Sequence, residues 1–400
     1  MHSHAERERG NNLTGGAVPK VGSPEPDLSD LGRNACSNTA PNAQSVEHVV
    51  ALEPAGSQSN TLSRVAANPL ALLPTGPSDK ERIEQTLLDV VQLDDDPYLT
   101  EISSHLIKAG GKRLRPLFAA ASAACALPDG ESVTQDVIRG GVSVELVHIG
   151  SLYHDDVMDE AEMRRQVISV NARWGNLRAI LSGDFLLAKA SEIAADLGVE
   201  VAGLLASTIA ELCKGQVGEL QTMYSVDRTA AQYFPSIAGK TASLYAAACR
   251  IGGIVTEQSR DAIDNLTEFG RLYGMAFQVV DDILDIIATD EQLGKPAGND
   301  MIEGVYSLPV IHTLLSPAGD SLRTLLDDGL TMDDRHQAIE IVRSGPGVAS
   351  SLEVAQSFVD QAKSVLTKVS TNEAATALAG AADHLLTSIP FDQVEAESVG

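Results

Sequence analysis

The segment LVHIGSLYHDDVMD, residues 146–159, determines how the rest of the chain is interpreted. It is an apolar run at helical spacing that ends in three carboxylates, Asp155, Asp156 and Asp159. Residues four apart share one face of a helix, so Asp155 and Asp159 should point the same way, with Asp156 beside them. Anions this close repel one another unless a cation lies among them, and Mg²⁺ prefers oxygen ligands with room for water. Taken alone, the segment could equally be a solvated acidic helix end.

A second acidic segment, FQVVDDILDI at residues 277–286, repeats this pattern. Asp281, Asp282 and Asp285 again occupy positions i, i+1 and i+4 of an otherwise apolar helix. Burying carboxylates is costly unless their charge is compensated. Two such triads facing each other in a helical core predict a site for several divalent cations, and solvated helix ends become the minor alternative.

The composition favours packed helices over sheets. Of the 400 residues, 44% are hydrophobic but only 4% are aromatic, which is typical of helical packing. Residues 78–388 carry a helical period in almost every segment, so we expect an all-α bundle there. Residues 181–188 are apolar on nearly all faces and indicate a central helix. Residues 1–77 are predicted to be a disordered extension and residues 389–400 an acidic tail.

The formal net charge of −26 excludes nucleic acid as a partner, because such a field repels it. No uninterrupted apolar run reaches membrane-spanning length, and the N-terminus lacks the apolar core of a secretory signal. The four cysteines have no paired spacing, which fits a reducing compartment. We expect a cytoplasmic protein whose anionic ligand is held by metals or by local basic clusters.

Two basic segments could hold such a ligand. Residues 110–116, GGKRLRP, form a Gly-rich loop that leads into a helix, and an Arg-Arg pair follows Asp159 by five and six residues. Glycines permit close backbone approach, and guanidinium groups bind phosphate oxygens in a bidentate manner. The alternatives are a helix start with solvated charges and a surface pair. The basic side chains of these segments are Lys112, Arg113, Arg115, Arg164 and Arg165.

Further polar residues stand near the triads in sequence. Residues 239–241, Gly-Lys-Thr, look like the end of a P-loop, but the sequence lacks the earlier glycine and the strand of that motif. Lys240 could still reach a phosphate from a helix, with Thr241 as a hydroxyl donor. Lys295 lies in a Gly- and Pro-bearing loop after the second triad. His148, two turns before the first triad, could hydrogen-bond a phosphate, although a lone helical His is usually a packed core residue.

Together these motifs resemble the trans-isoprenyl diphosphate synthases, or polyprenyl synthetases. The family's motifs occur in order and at the family's spacing. Residues 171–175, NARWG, and 303–309, EGVYSLP, look most like actinobacterial long-chain members. The matching segments are residues 110–116, 154–159 with Arg164 and Arg165, 239–241, 277–285 and 294–300.

The resemblance implies antiparallel helices around a deep central cavity, usually in a homodimer. It implies a prenyltransferase that condenses isopentenyl diphosphate head-to-tail onto an allylic diphosphate, which is geranyl, farnesyl or geranylgeranyl diphosphate. Two to three Mg²⁺ ions, for which Mn²⁺ can substitute, would bind per active site. Asp155 and Asp159, supported by Asp156, would hold two of them. Asp281, with Asp282 and Asp285 nearby, would hold the third.

The resemblance also assigns the remaining contacts. The catalytic residues would be Asp155, Asp156, Asp159, Lys240, Asp281 and Asp282. The isopentenyl diphosphate contacts would be Lys112, Arg115, His148 and Arg165. The allylic diphosphate contacts would be Arg164, Lys240, Thr241, Gln278 and Lys295.

Three places depart from the family pattern. Residues 166–168, Gln-Val-Ile, replace the usual Gly-x-Pro after the Arg pair, so closure of this loop should differ. Val305 stands where many members have a Lys, which predicts one missing allylic phosphate contact and a higher KM for the allylic substrate. Ser307 replaces the usual Thr and keeps its hydroxyl.

The residues just before the first triad predict the product length. Ser151 and Gly150 lie about one helical turn before Asp155, where short-chain members typically carry a bulky aromatic floor. Two small residues leave the channel open, and Val147 continues it. The resemblance therefore implies a long product of about C30–C50, with quinone side chains as its destination by analogy. Release of such a product implies peripheral contact with the inner face of the membrane.

Three alternatives remain open. A geranylgeranyl or other short-chain synthase would need a floor residue on another helix. A terpene cyclase shares the first triad but typically lacks the second triad and the clamp at Lys112 and Arg115. A non-catalytic partner subunit tends to lose both triads.

Overall fold

Helices account for nearly all regular structure in the computed structural model, which describes residues 69–289, 297–327, 330–331 and 334–389. All of these residues belong to one compact unit. The α-helices within them are α1 (Gly76–Val91), α2 (Pro97–Ser103), α3 (His105–Lys108), α4 (Leu114–Ala124), α5 (Gln135–Met158), α6 (Val170–Trp174), α7 (Asn176–Asp196), α8 (Val199–Leu220), α9 (Ala230–Ile237), α10 (Ser243–Val255), α11 (Arg260–Ile287), α12 (Asn299–Ile302), α13 (Leu308–Leu314), α14 (Gly319–Asp327), α15 (Arg335–Ser344), α16 (Gly347–Leu366) and α17 (Glu373–Thr387). The other elements are a 3₁₀-helix (Pro69–Leu72), a π-helical turn (Ala238–Ala242) and the strands β1 (Met163–Arg164) and β2 (Val167–Ile168).

The two acidic segments end the long helices α5 and α11. Both helices begin with a side-chain cap, because the hydroxyls of Thr134 and Ser259 accept hydrogen bonds from otherwise unpaired first-turn amides. Most of α5 is buried, and it packs against α4 and α7, whereas α11 packs against α10 and α16. The core of the bundle thus fixes the carboxyl ends of both acidic helices. The predicted all-α class is confirmed.

A short hairpin interrupts the helices after the first triad. Strands β1 and β2 are antiparallel, with Met163 paired to Ile168. Arg165 and Gln166 form the turn with φ values of 52° and 64°, the left-handed geometry that a two-residue hairpin turn requires. Strands of two residues are too short to show an alternating pattern, which explains why the sequence did not reveal them.

The N-terminal boundary lies earlier than the sequence pattern indicated. Helix α1 begins at Gly76, and the preceding 3₁₀-helix contributes Leu70, only 1% exposed, to the core. The folded part therefore extends in front of residue 78. Residues 1–68 and 390–400, which carry most of the predicted extension and tail, lie outside the described residues.

The interpretation of residues 181–188 as a central helix is wrong for one face of α7. Leu177, Ile180 and Leu181 are 78%, 40% and 66% exposed. They share a face at i, i+3 and i+4 spacing, whereas Gly183 and Leu186 on the other side are buried where α7 packs on α5. One face of α7 is therefore apolar and is not covered by the part of the chain that the structure describes.

The sequence predicts neither a membrane-spanning helix nor a disulfide framework. Across the described ranges, no helix combines the length and the apolar character needed to cross a membrane. The described cysteines, Cys125, Cys213 and Cys249, are free thiols.

Candidate active site

A cavity of about 490 Å³ lies between α5, α8, the π-helical turn and α11. It collects side chains that are far apart in sequence. Predicted site residues that line it are Arg115, His148, Ser151, Asp155, Asp159, Arg164, Lys240, Thr241, Gln278, Asp281 and Asp282. Predicted residues that do not line it are Lys112, Val147, Gly150, Asp156, Arg165 and Asp285. Lys295 lies outside the described residues.

The first triad divides into two cavity residues and one buried residue. Asp155 and Asp159 line the cavity, as their spacing of four predicted. Asp156 points away and is completely buried, where one carboxylate oxygen accepts a hydrogen bond of 2.7 Å from Arg164 Nε. Asp156 therefore does not border the cavity, and the supporting role expected for it in metal binding stays a prediction. Its contact instead holds Arg164, which does line the cavity.

The second triad divides differently. Asp281 and Asp282 line the cavity, whereas Asp285 is buried beneath it. Asp285 accepts hydrogen bonds from the segment that follows the helix, through its carboxylate from the Asp300 amide (3.4 Å) and through its carbonyl from the Gly298 amide (2.7 Å). Asp285 thus secures the start of α12 rather than facing a ligand.

Asp282 is the acceptor at the end of a hydrogen-bonded chain. Thr241 Oγ1 donates to Gln278 Oε1 (2.7 Å), and Gln278 Nε2 donates to Asp282 Oδ1 (3.0 Å). Tyr233 Oη donates to Asp282 Oδ2 (2.6 Å). These bonds fix the carboxylate and orient Thr241 and Gln278 along the cavity wall.

Burial raises the pKa of one carboxyl group in each acidic pair, Asp155 and Asp282. Loss of water raises the pKa of Asp155 to about 6, against the opposing charge of Lys240. It raises the pKa of Asp282 to about 7, although the hydrogen bonds from Tyr233 and Gln278 act in the opposite direction. Carboxylates that are costly to ionise in the empty site are stabilised when cations arrive.

Lys240 is held in the π-helical turn, a rare geometry that often occurs at functional sites. Its Nζ donates to Glu219 Oε1 at 2.6 Å. Burial would lower the pKa of Lys240, but Glu219, Asp155 and Asp159 together raise it, so the ammonium stays charged. A cation thus stands between Glu219 and the first acidic pair.

Arg113 anchors the Gly-rich loop. The sequence motif had suggested instead that Arg113 could bind phosphate. Its guanidinium is fully buried and forms ion pairs with Glu84 (Nε–Oε1, 2.9 Å) and Glu145 (Nη1–Oε1, 3.3 Å). This side chain is therefore structural. Its left-handed backbone, with φ of 49°, turns the chain between exposed Lys112 and cavity-lining Arg115.

Arg165 also supports this loop instead of lining the cavity. Its Nη1 donates to the carbonyls of Leu106 (3.0 Å) and Gly110 (2.6 Å). These bonds tie the hairpin turn to the Gly-rich loop and compensate the left-handed backbone of Arg165. The guanidinium of Arg165 is thus committed to backbone carbonyls and holds the Gly-rich loop.

His148 lines the cavity next to Arg115. Burial lowers the pKa of His148 well below its usual range, and the surrounding charges of Arg115 and Arg165 add to this effect. The imidazole is therefore neutral at pH 7 and can form a hydrogen bond to a phosphate oxygen without adding charge.

The three residues predicted to set product length occupy different environments. Ser151 lines the cavity. Gly150 faces α7, where a Cβ would lie 3.0 Å from the Gly183 carbonyl oxygen. Val147 is 1% exposed and belongs to the core. Only Ser151 of the three borders the cavity as the structure describes it.

The donor set fits divalent cations that share their ligands with a substrate. Among the described residues, no three Asp, Glu, His or Cys side chains converge on one point as a complete metal cage. Two pairs of carboxylates border one cavity instead. Mg²⁺ typically binds one or two carboxylates and completes its shell with water and phosphate oxygens. Asp155, Asp159, Asp281 and Asp282 are the residues placed to hold such ions.

Glu219, Tyr233 and Arg228 are among the cavity residues that were not identified from the sequence. Glu219 pairs with Lys240, Tyr233 holds Asp282, and Arg228 lines the same cavity. Glu219 is an acidic residue in a half-apolar helix, a weak signal that could have drawn notice. Tyr233 and Arg228 lie outside any motif, and only the folded chain brings them to the acidic pairs.

Comparisons with known proteins identify the family. The polyprenyl synthetase family model matches residues 96–342. The chain belongs to the polyprenyl synthetase family. The resemblance based on the sequence motifs is confirmed, and the carboxylate pairs described above are features of a polyprenyl synthetase.

Relatives of this polyprenyl synthetase include proteins named for long products. The nonaprenyl diphosphate synthase of Mycobacterium tuberculosis is 39% identical over 308 residues, 76% of this chain and 90% of that protein. A decaprenyl diphosphate synthase from Rhodobacter capsulatus has a crystal structure with a TM-score of 0.73 and 29% identity, covering 80% of this chain and 98% of that one. A geranylgeranyl pyrophosphate synthase from Corynebacterium glutamicum, complexed with calcium and isoprenyl diphosphate, has a TM-score of 0.68 and 34% identity, covering 78% and 96%.

Proposed function

We propose that this chain is a long-chain trans-polyprenyl diphosphate synthase. It would condense isopentenyl diphosphate units onto an allylic diphosphate to a product of about C30–C50. The observation that carries this proposal is one cavity bordered by two carboxylate pairs, Asp155 with Asp159 and Asp281 with Asp282. The names of the long-chain relatives support the product class.

The charges around the cavity suit a reaction in which diphosphate departs. Divalent cations, when bound, supply Lewis-acid stabilisation of the developing negative charge. Lys240 and Arg164 would bind the diphosphate of the allylic substrate and stabilise it as the C–O bond breaks. Lys112, Arg115 and neutral His148 would hold isopentenyl diphosphate with its double bond towards the allylic carbon. Oriented reactants and fixed charges need little rearrangement when the new C–C bond forms.

The remaining wall residues would protect the allylic cation. The oxygen dipoles of Thr241 and Gln278 face the cavity and can stabilise positive charge. Part of the cavity wall is apolar and is formed by Leu152, Ile237 and Phe277. This wall would exclude water that could capture the cation. The proton released after C–C bond formation would pass to the departing diphosphate.

A shorter product is the second candidate. The Corynebacterium glutamicum relative is named for geranylgeranyl diphosphate and is 34% identical. Small Ser151 at the cavity favours the longer product, because a bulky side chain there would close it. We also propose a cytoplasmic homodimer that contacts the membrane peripherally when a long product is released.

Product analysis tests the proposed function. Purified enzyme is incubated with farnesyl diphosphate, isopentenyl diphosphate and Mg²⁺, and products are measured by mass spectrometry. We expect products of about C30–C50 and loss of activity with a chelator. Asp281→Asn should lower kcat/KM by at least about 100-fold. Consumption of farnesyl diphosphate alone would indicate a cyclase, and products that stop at C15 or C20 would support the short-chain candidate.

A further inference from the structure

Arg228 is a buried cation in the wall of the cavity that the reaction as described does not use. It lies in the segment before α9 and is 4% exposed. Its Nη1 donates to the Tyr306 carbonyl at 2.9 Å. Its Nε and Nη2 are buried and have no hydrogen-bond partner within the described structure. One part of the guanidinium is therefore fixed, and two donor groups remain for a ligand.

A buried guanidinium with two N–H groups that lack a hydrogen-bond partner is unusual. Arg carries five N–H donors and no acceptor, and buried donors are normally hydrogen-bonded. Burial lowers the pKa of Arg228, and Glu219 and Asp282 are the acidic groups whose charge counteracts this. Both acids already have close partners, because Glu219 bonds to Lys240 and Asp282 to Tyr233. Neither provides the missing acceptors for Arg228.

The rest of the pocket around Arg228 is shaped to keep it in place. The Tyr233 ring lies under the guanidinium, with its centre 5.7 Å from the Arg228 Cζ atom. This cation–π contact and the bond to the Tyr306 carbonyl restrict the orientation of the guanidinium. Arg228 therefore presents a preorganised pair of donors at a wall that Asp282 and Lys240 also border.

The position of Arg228 coincides with a missing charge. Val305 lines the cavity next to Tyr306, the residue whose carbonyl holds Arg228. The family pattern has a Lys at 305, and Val cannot contact phosphate. A cation that reaches the same wall from another segment of the chain is thus present where the local sequence lost one.

We propose that Arg228 binds the diphosphate of the allylic substrate through Nε and Nη2, and that it replaces the cation absent at Val305. The proposal rests on the proposed function, since it assumes a diphosphate in this cavity. The proposed contact would come from the segment before α9 and would compensate for the one that Val305 cannot make. Arg228 is a substrate-binding residue and takes no part in proton transfer.

Binding of inorganic pyrophosphate, measured by calorimetry with Mg²⁺ present, tests this role. We expect Arg228→Met to weaken binding by about 10- to 100-fold, the effect of losing a charge-assisted fork. Adding Val305→Lys to Arg228→Met should restore the affinity to within about 3-fold of the wild type, because a cation returns to the same wall. The KM for farnesyl diphosphate should follow the same order, with that for isopentenyl diphosphate nearly unchanged.

A control variant tests whether Arg228 only holds its segment of the chain in place. Arg323 forms an exposed ion pair with Asp227, the neighbour of Arg228, and Arg323→Met loosens the same segment without touching the cavity. We expect wild-type pyrophosphate binding in that variant. If Arg228→Met does not fold, Arg228→Lys serves instead, with a loss of about 3- to 10-fold because the fork is removed but the charge remains.

The outcomes separate the two proposals. A wild-type protein that fails to bind pyrophosphate with Mg²⁺ overturns the proposed function itself. If the wild type binds and the Arg228 variant binds equally well, the role of Arg228 is refuted. It is also refuted if Arg323→Met weakens binding as much as Arg228→Met, or if Val305→Lys restores nothing in a variant that melts at the wild-type temperature.

Discussion

Two buried carboxyl groups in the cavity link stability to pH. Burial raises the pKa of Asp155 to about 6 and that of Asp282 to about 7. A carboxyl whose pKa is raised on folding favours the folded state at low pH, and this contribution is lost as the pH rises through the raised pKa. Metal-free protein should therefore lose stability between about pH 4, near the pKa of the carboxyl groups in the unfolded chain, and about pH 7 through these two groups. Mg²⁺ with pyrophosphate should restore more stability at the higher pH.

Asp282→Asn isolates this effect. Removing the buried charge should raise the melting temperature of metal-free protein at about pH 8 by roughly 2–4 °C per kcal/mol gained, and should flatten its pH dependence. Asp264→Asn is the control, because Asp264 forms an exposed ion pair with Arg250. Thermal melts in a chelator between about pH 4 and pH 8 make the measurement. Parallel pH curves for wild type and Asp282→Asn would contradict the assignment.

The acidic residues show how far a spacing rule reaches. The i, i+4 rule placed Asp155 and Asp159 on one face, and both line the cavity. The same spacing fails for Asp281 and Asp285, because packing against α10 and α16 sets the rotation of α11 about its axis. The motif alone contains no information on that rotation. Asp282 takes the second position at the cavity instead.

At the level of elements, the position of Lys240 depends on a crossing between α8 and the π-helical turn. A Cβ on Gly215 would lie 2.5 Å from the Lys240 amide nitrogen and 2.6 Å from the Ser236 carbonyl oxygen. The two backbones therefore touch at Gly215. Glu219, one turn further along α8, is brought to the Lys240 ammonium by this approach.

Gly215→Ala should separate the two elements. Overpacking of this kind typically costs about 1–3 kcal/mol of stability, and misplacing Lys240 should lower kcat/KM by about 10- to 100-fold. Gly203→Ala is the matched control on the same helix, since a Cβ there meets no atom within 4 Å. We expect it to keep activity and to gain slightly in stability from helix propensity. Equal activities of the two variants would show that the crossing does not position Lys240.

Helix α5 presents two neighbouring small residues to different surroundings. Ser151 borders the cavity, whereas Gly150 abuts the Gly183 carbonyl on α7. Ser151→Phe should therefore shorten the product and leave Mg²⁺-dependent turnover intact. Gly150→Phe should mainly destabilise the protein, by about 1–3 kcal/mol or more from overpacking. Chain lengths by mass spectrometry and thermal melts distinguish the two, and an unchanged product in a folded Ser151→Phe variant would remove Ser151 from the channel.

At the scale of the whole molecule, helical periodicity predicted the fold class, and the resemblance of five motifs to known members predicted the family. They could not place residues that reach the cavity from outside any motif, such as Arg228 and Tyr233, because only tertiary packing brings them there. The sequence pattern likewise did not predict that one face of α7 is exposed. An all-round apolar pattern predicts burial, but it does not say whether the covering surface belongs to the same chain.

That face leads to the prediction for the assembly. Leu177, Ile180 and Leu181 form an apolar strip of α7 that the chain leaves exposed, and such strips typically mark interfaces between proteins. In a homodimer with two-fold symmetry, the strip would pack on its copy. Leu181→Glu should then convert the dimer to monomers in sedimentation velocity, because it buries a charge in an apolar contact. Leu315→Glu, at a leucine outside α7 that is 81% exposed against 66% for Leu181, should leave the dimer intact. A dimer that survives Leu181→Glu would place the interface elsewhere, and a wild-type monomer would exclude the assembly.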